Sequence, residues 1–269
     1  MERPDTTGQL PAWLDREAYP FANHWVTLSG GRRMHYVDEG DGETLLFVHG
    51  TPTWSFEWRH LIRAFSEQYR CIAPDLIGMG LSSRPDDFAY TPAAHADVLR
   101  EFVGALGLNR FTLIVHDFGG PIALPLALDP VSRAHRLVLI NTWMWSFAGD
   151  GDMEKKARMA GGNLGRFLYR WANASLRMIA PSAFADRRKL TPAIHHQYLS
   201  VFPDRDSRER VLWTFARALL GSSDYYTSLW ERRAALTRIP VLIIWGMKDP
   251  AFAPNQLQRW REALPNAQV

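Results

Sequence analysis

This sequence is short of cysteine, of net charge and of long apolar runs, and each shortage removes a class of protein. A single cysteine, Cys71, stands among 269 residues, so no internal disulfide can form. Set in the apolar run Cys71-Ile72-Ala73, it reads as a buried small hydrophobe in a reducing cytoplasm. Lysine and arginine outnumber aspartate and glutamate by only 31 to 28, and the basic residues fall in short scattered runs such as Arg187-Arg188-Lys189. A nucleic-acid groove needs them gathered on one face. The start, M-E-R-P-D-T-T-G-Q-L, has neither the basic beginning nor the apolar stretch of a secretion signal, and no window reaches membrane-spanning length. Neither a nucleic acid nor a membrane is an expected partner.

What is present is a chain long enough to bury a sizeable core, divided by its hydrophobic periodicity. Residues 1–22, rich in proline and charge, read as an arm on the surface. The stretch from His24 and the run Met34 to Val37 flank Ser29-Gly30-Gly31 and predict a hairpin. Thr44 to Val48 is continuously apolar, as a strand covered on both faces must be, and runs into His49-Gly50-Thr51-Pro52-Thr53. Trp54 to Phe65 has helical spacing, and Arg70 to Ala73 is another buried strand leading to Asp75 and Gly78-Met79-Gly80. Thr91 caps, and Pro92 opens, a helix reaching about Leu106. Arg136 to Ile140 is again apolar and β-branched. Strands and helices alternating with such short connections predict an α/β architecture with a doubly wound, mostly parallel sheet.

That rhythm stops after Asn141. Only helical periodicities follow (Leu164 to Arg177, Pro192 to Phe202, Arg208 to Leu220, Tyr225 to Leu236), with Gly149 to Gly165 as a hinge or first loop, until Pro240 to Trp245 resumes as a strand. The expected division is an α/β core over residues 1–142, a helical lid over 143–237, and a continuation of the core over 238–269.

The organising stretch is Leu113 to Gly120, L-I-V-H-D-F-G-G. A strand ending in an aspartate that caps the next helix is the plainer alternative. The surrounding signals agree with a nucleophile elbow, a sharp strand-to-helix turn that lifts one side chain above the sheet while small residues let helix and strand pack closely. The lifted side chain is Asp117, and the lack of a serine there disfavours an esterase. An ionised carboxylate needs no base to attack. It needs a saturated carbon bearing a good leaving group, and afterwards an activated water to hydrolyse the ester. The backbone N–H groups of Phe118 and Thr51 are placed to hold negative charge. Asp249, in W-G-M-K-D-P-A-F after the strand Val241 to Trp245, stands where an acid orienting a base belongs, its alternative being a cap for the helix Pro254 to Ala263. Asn141 occupies the other such place and is not a carboxylate.

The segments H-G-T-P-T-W-S-F-E-W-R, D-L-I-G-M-G-L-S, V-H-D-F-G-G and W-G-M-K-D-P resemble the haloalkane dehalogenases of the α/β-hydrolase superfamily, over nearly the whole chain. The resemblance implies an α/β-hydrolase fold with an inserted helical lid. It makes Asp117 the nucleophile that displaces halide in-line from a small apolar halogenated substrate, and Asp249 the triad acid. Water then releases an alcohol, with no cofactor or metal. H-G-x-P and D-x-G-G are shared with epoxide hydrolases, which need lid tyrosines; Tyr169, Tyr198, Tyr225 and Tyr226 keep that alternative open.

Three departures from the pattern matter. Most dehalogenases carry a tryptophan after the nucleophile to grip the halide, where this chain has Phe118, which has no donor. Trp171 is the nearest match to a halide-holding lid tryptophan, with Trp143 and Trp145 competing as halide or pocket-lining residues, and a core position is the alternative for each. The family's catalytic histidine lies beyond one further strand after the acid, whereas the last histidines here are His195 and His196. His116 is expected to point away from Asp117. The resulting expectations are a truncated chain, with its final strand and helix missing, one alkylated at Asp117 that releases product slowly or not at all, or a fold retained without turnover as a ligand-binding or interaction protein. The strand Val241 to Trp245 is expected to have an unpaired apolar flank prone to self-association.

Overall fold

The computed structural model of the chain describes residues 10–129 and 131–269. Its frame is a seven-stranded sheet in the order β1-β2-β4-β3-β5-β6-β7. The strands are β1 (Asn23–Leu28), β2 (Arg32–Glu39), β3 (Glu43–Val48), β4 (Tyr69–Pro74), β5 (Phe111–Asp117), β6 (Ala134–Thr142) and β7 (Val241–Ile244). β1 pairs antiparallel with β2, as the hairpin signals require, and β2 pairs antiparallel with β4. The neighbours β4-β3-β5-β6-β7 are all parallel. The central strands β3 and β5 are the continuously apolar ones, and Leu46, Phe47, Val48, Leu113 and Val115 have no exposed surface.

Before β6 come α1 (Arg59–Phe65), α2 (Pro92–Ala105) and α3 (Gly119–Leu128). The Thr91 hydroxyl accepts from the Ala94 N–H at 3.3 Å, with Pro92 at the first helical position of α2. α3 is apolar all round and every residue but Leu126 is buried, as a helix in the middle of a core must be. Pro125 inside it has no N–H to give the Pro121 carbonyl. The Tyr225 O–H donates to that carbonyl at 2.8 Å instead.

Between β6 and β7 the described residues form helices and turns without a strand. These are α4 (Gly151–Gly161), α5 (Asn163–Phe167), α6 (Ala180–Ala183), α7 (Pro192–Ser200), α8 (Arg205–Ser207), α9 (Thr214–Gly221) and α10 (Ser223–Glu231), joined in part by π-helical turns at Leu168–Ala172, Ser175–Ile179 and Arg208–Trp213. α11 (Pro254–Ala263) follows β7. Among the described residues no helix is long and apolar enough to cross a membrane.

Three expectations are corrected. The glycine-rich stretch after Gly149 is helical, because the Asp150 carboxylate accepts from the Met153 N–H at 3.3 Å and starts α4. The N-terminal arm is not superficial: residues 1–9 lie outside the described residues, but Leu14, Tyr19 and Phe21 are buried. Their apolar bulk outweighs the polar spacing, with the Tyr19 ring 5.0 Å from that of Trp54. The outer edge of β7 is not bare either. Ile243 N–H donates to the Gln268 carbonyl at 2.7 Å and Gln268 N–H to the Val241 carbonyl at 3.0 Å, so the final residues take up part of that edge.

Candidate active site

β5 ends at Asp117, whose φ of 50° lies in the left-handed region. A non-glycine residue held there costs on the order of 1–2 kcal/mol, so the surroundings must fix it. The Thr142 hydroxyl donates to the Asp117 backbone carbonyl at 2.6 Å, tying the turn to the end of β6. Behind it, α3 lies so close to β3 that a Cβ on Gly119 would stand 2.2 Å from the Val48 carbonyl oxygen.

The loop after β3 closes over the same carboxylate. A Cβ on Gly50 would stand 2.2 Å from Asp117 Oδ1, so only glycine admits the contact. The next N–H, that of Thr51, donates to Asp117 Oδ1 at 2.9 Å, and the Phe118 N–H also bonds the carboxylate. His49 fixes the loop through both ring nitrogens. Its Nε2 accepts from the Leu76 N–H at 2.9 Å, so Nδ1 carries the proton and donates to the Gly50 carbonyl at 2.7 Å. Asp75, wholly buried, gathers three segments by accepting from the Ser55 and Leu81 N–H groups, each at 2.8 Å, and pairing with His35 Nδ1 at 2.7 Å.

Burial dominates the charge at the elbow. It pushes the Asp117 carboxyl up, against the pull of the His116 charge and of the Phe118 and Thr51 N–H groups, to about 6. A carboxylate freed from water in this way is a stronger nucleophile. His116 Nδ1 lies 3.4 Å from the Glu57 carboxylate. Burial alone would lower its pKa, but the Glu57 carboxylate, helped by Asp117 and Asp249, raises it to about 9. His116 is therefore a cation at neutral pH and not a base. Glu57 went unremarked in the sequence; its signal was a lone acid between Phe56 and Trp58 directly after the H-G-T-P loop.

The turn after β7 places Asp249 beside the end of β6. Asn141, itself at φ 33°, donates from Nδ2 to Asp249 Oδ2 at 3.0 Å and accepts the Gly246 N–H on Oδ1 at 2.7 Å. The other Asp249 oxygen accepts from the Ala251 and Phe252 N–H groups at 2.8 and 3.2 Å. Asp249 thus shapes its own turn, and the residue before α11 is Ala253. His195 and His196 are engaged within the helical segment, by the Leu176 carbonyl and the Ser200 hydroxyl.

The three candidate tryptophans separate. Trp171 is half exposed, at 50%, because it shares a helix face with Phe167, on which it stacks, and the Arg205 guanidinium sits 4.0 Å above its ring. Trp145 is buried against Trp230 and Trp260, a core position. Trp143 alone of the three meets the elbow, with its ring centroid 4.7 Å from that of Phe118 and 5.6 Å from that of Phe252. Of the four tyrosines, Tyr225 is occupied at Pro121, and Tyr198 sits against Phe56. Tyr169 and Tyr226 feel the Asp117 charge, though burial contributes most to their raised pKa values. A cavity of about 600 Å³ is lined wholly from the helical segment, by ion-paired Arg166, Arg170 and Glu209 among others. It does not include Asp117. Among the described residues no group of three His, Cys, Asp or Glu side chains is arranged to hold a metal.

Residues 43–269 match the family model for the alpha/beta hydrolase fold. The chain is 37% identical over 244 residues to haloalkane dehalogenase 2 of Mycobacterium tuberculosis, covering 90% of this chain and 84% of that protein. It is 33% identical over 266 residues to a cis-3-alkyl-4-alkyloxetan-2-one decarboxylase of Xanthomonas campestris, covering 93% and 88%. Among solved structures, the haloalkane dehalogenase DbeA from Bradyrhizobium elkani superimposes with a TM-score of 0.79 at 25% identity, covering 93% of this chain and 88% of that one.

Proposed function

The chain belongs to the α/β-hydrolase family and is a hydrolase related to the haloalkane dehalogenases, and on that footing we propose that it cleaves carbon–halogen bonds through a covalent ester on Asp117. The observation that carries this is a partly buried carboxylate lifted on a left-handed turn, with one oxygen gripped by the Thr51 N–H at 2.9 Å. The oxygen left free attacks an alkyl carbon in-line, the carbon–halogen bond breaks, and halide leaves with the bonding pair. Water then adds to the ester carbon of Asp117. The oxyanion formed there is received by the N–H groups of Thr51 and Phe118, and collapse expels the alcohol. One proton from the water goes to a base, and Asp249, clamped by Asn141 and its own turn, is assigned to orient that base. Residues 143–237 form the lid, and its aromatic residues over Phe118 make the pocket dry, which strengthens the attacking carboxylate.

The test is mass spectrometry of the protein incubated with 1-bromobutane. A butyl ester on the Asp117 peptide, with bromide release, is expected, and Asp117→Asn should give neither. Diol formation from styrene oxide with no adduct from 1-bromobutane would overturn the reading in favour of an epoxide hydrolase.

A second reading draws on the Xanthomonas campestris relative and on Phe118, which offers no donor to a free halide. In a 3,4-dialkyl oxetan-2-one, Asp117 attacks C4 and the ring oxygen leaves as a carboxylate still tethered to the alkyl ester. Loss of carbon dioxide then expels the Asp117 carboxylate and leaves an alkene, with no water consumed. Alkene and carbon dioxide from such a lactone, without the hydroxy acid, would favour this reading.

A further inference from the structure

Resting on Asp117 as nucleophile, we infer that the Trp143 indole N–H and the Tyr226 hydroxyl together receive the anion that leaves when Asp117 attacks. An anion expelled into an apolar pocket is costly unless hydrogen-bond donors meet it, and Phe118 supplies none from its side chain. Trp143 and Tyr226 are exposed by no more than 1% and 0%, and both Trp143 Nε1 and Tyr226 OH are buried without a hydrogen bond of normal geometry, with the Ser222 side chain near the Tyr226 hydroxyl. Buried polar groups are seldom left so, and two on neighbouring rings offer an anion a pair of donors.

Their placement says which ligand. The two rings lie 6.0 Å apart, centroid to centroid, at 67°. Trp143 stands between the two turns that carry the acids, touching Phe118 beside Asp117 on one side and Phe252 beside Asp249 on the other. Tyr226 lies near enough for the Asp117 charge to raise its pKa, although burial is the larger cause. Its hydroxyl is thus protonated at working pH and available as a donor. Thr51 Oγ1 is also buried without a partner, but it belongs to the turn that grips the carboxylate itself. The shared chemistry is that of a compact anion in an aromatic box. A halide ion has that chemistry, and so does the carboxylate oxygen of an opening lactone.

The experiment uses the full chain and bromide ion as the probe. Trp143→Phe and Tyr226→Phe are each compared with the native protein and with Trp145→Phe, which removes an equally buried indole outside the box. Bromide binding is measured by calorimetry, and the rate of Asp117 ester formation from 1-bromobutane by rapid-quench mass spectrometry. Loss of a hydrogen bond to a charged group predicts weakening of bromide binding and slowing of alkylation by about tenfold to a hundredfold in each box variant, with Trp145→Phe unchanged in both. Native-like bromide affinity and alkylation in folded Trp143→Phe and Tyr226→Phe would overturn the inference while leaving Asp117 as nucleophile. Bromide binding that depends on both residues, in a native protein that 1-bromobutane never alkylates, would uphold the anion site and sink the nucleophile. Absence of bromide binding to the native protein overturns the inference outright.

Discussion

Replacing Asp117 by asparagine should stabilise the protein at neutral pH relative to acid, and the size follows from the elbow. Burial raises the Asp117 carboxyl from an ordinary 3.8 to about 6, so the folded state holds its proton over a range where the unfolded chain has lost it. The stability this contributes is fully present below the ordinary value and is lost as pH rises through about 6. The full rise is worth about 3 kcal/mol, of which about 2 kcal/mol falls between about pH 4.5 and about pH 7.5. Asparagine does not titrate. Its fixed costs, such as an amide N–H facing the Phe118 N–H, are the same at every pH and cancel from the comparison. Urea unfolding of native and Asp117→Asn protein across that range should therefore show the difference in unfolding free energy moving by about 2 kcal/mol in favour of the variant as pH rises. A difference flat across the range would refute the raised carboxyl. The same proton should appear in the chemistry: the rate of ester formation from 1-bromobutane falls about tenfold for each pH unit below about 6, because only the carboxylate attacks.

Further outcomes test the shell around that carboxylate. Gly50→Ala forces a Cβ to within 2.2 Å of Asp117 Oδ1, and should cost about 1–3 kcal/mol in urea unfolding and about a hundredfold in ester formation. Glu57→Gln removes the charge that raises His116 to about 9. The His116 midpoint, followed by NMR, should fall toward the ordinary imidazole value of about 6.5. The native protein should lose stability as pH rises through about 9, while the variant does not. Asn141→Asp keeps the left-handed backbone and sets a carboxylate where the amide met Asp249 at 3.0 Å. It should cost about 1–3 kcal/mol at about pH 8 and recover much of this below about pH 5, when one acid of the pair is protonated.

Much of this was legible in order along the chain. The continuous apolar runs Thr44 to Val48 and Leu113 to Val115 specified central strands, the Thr91-Pro92 pair specified the start of α2, and the short connections specified parallel pairing, because periodicity, capping and chain reach are local properties. Local too was the departure at Phe118. Less legible were Leu14, Tyr19 and Phe21, where the polar spacing of an apparent arm concealed three residues buried in the core. The helix α4 was hidden by its flanking glycines until the Asp150 cap was seen to start it.

The sequence by itself determined that an aspartate tops a buried strand, that glycines let one loop close over it and a helix pack closely behind it, and that a second aspartate follows a later strand. Only the tertiary structure decided which of three tryptophans faces the elbow, that Tyr225 serves the Pro121 carbonyl freed by Pro125 while the Tyr226 hydroxyl is left without a hydrogen bond of normal geometry, and that Glu57 makes His116 a cation. The physical reason is distance along the chain. Strand, helix and turn signals are written within a few residues, whereas Trp143, Phe118, Tyr226 and Phe252 come from four separate segments, and no periodicity records which side chains will share one aromatic box.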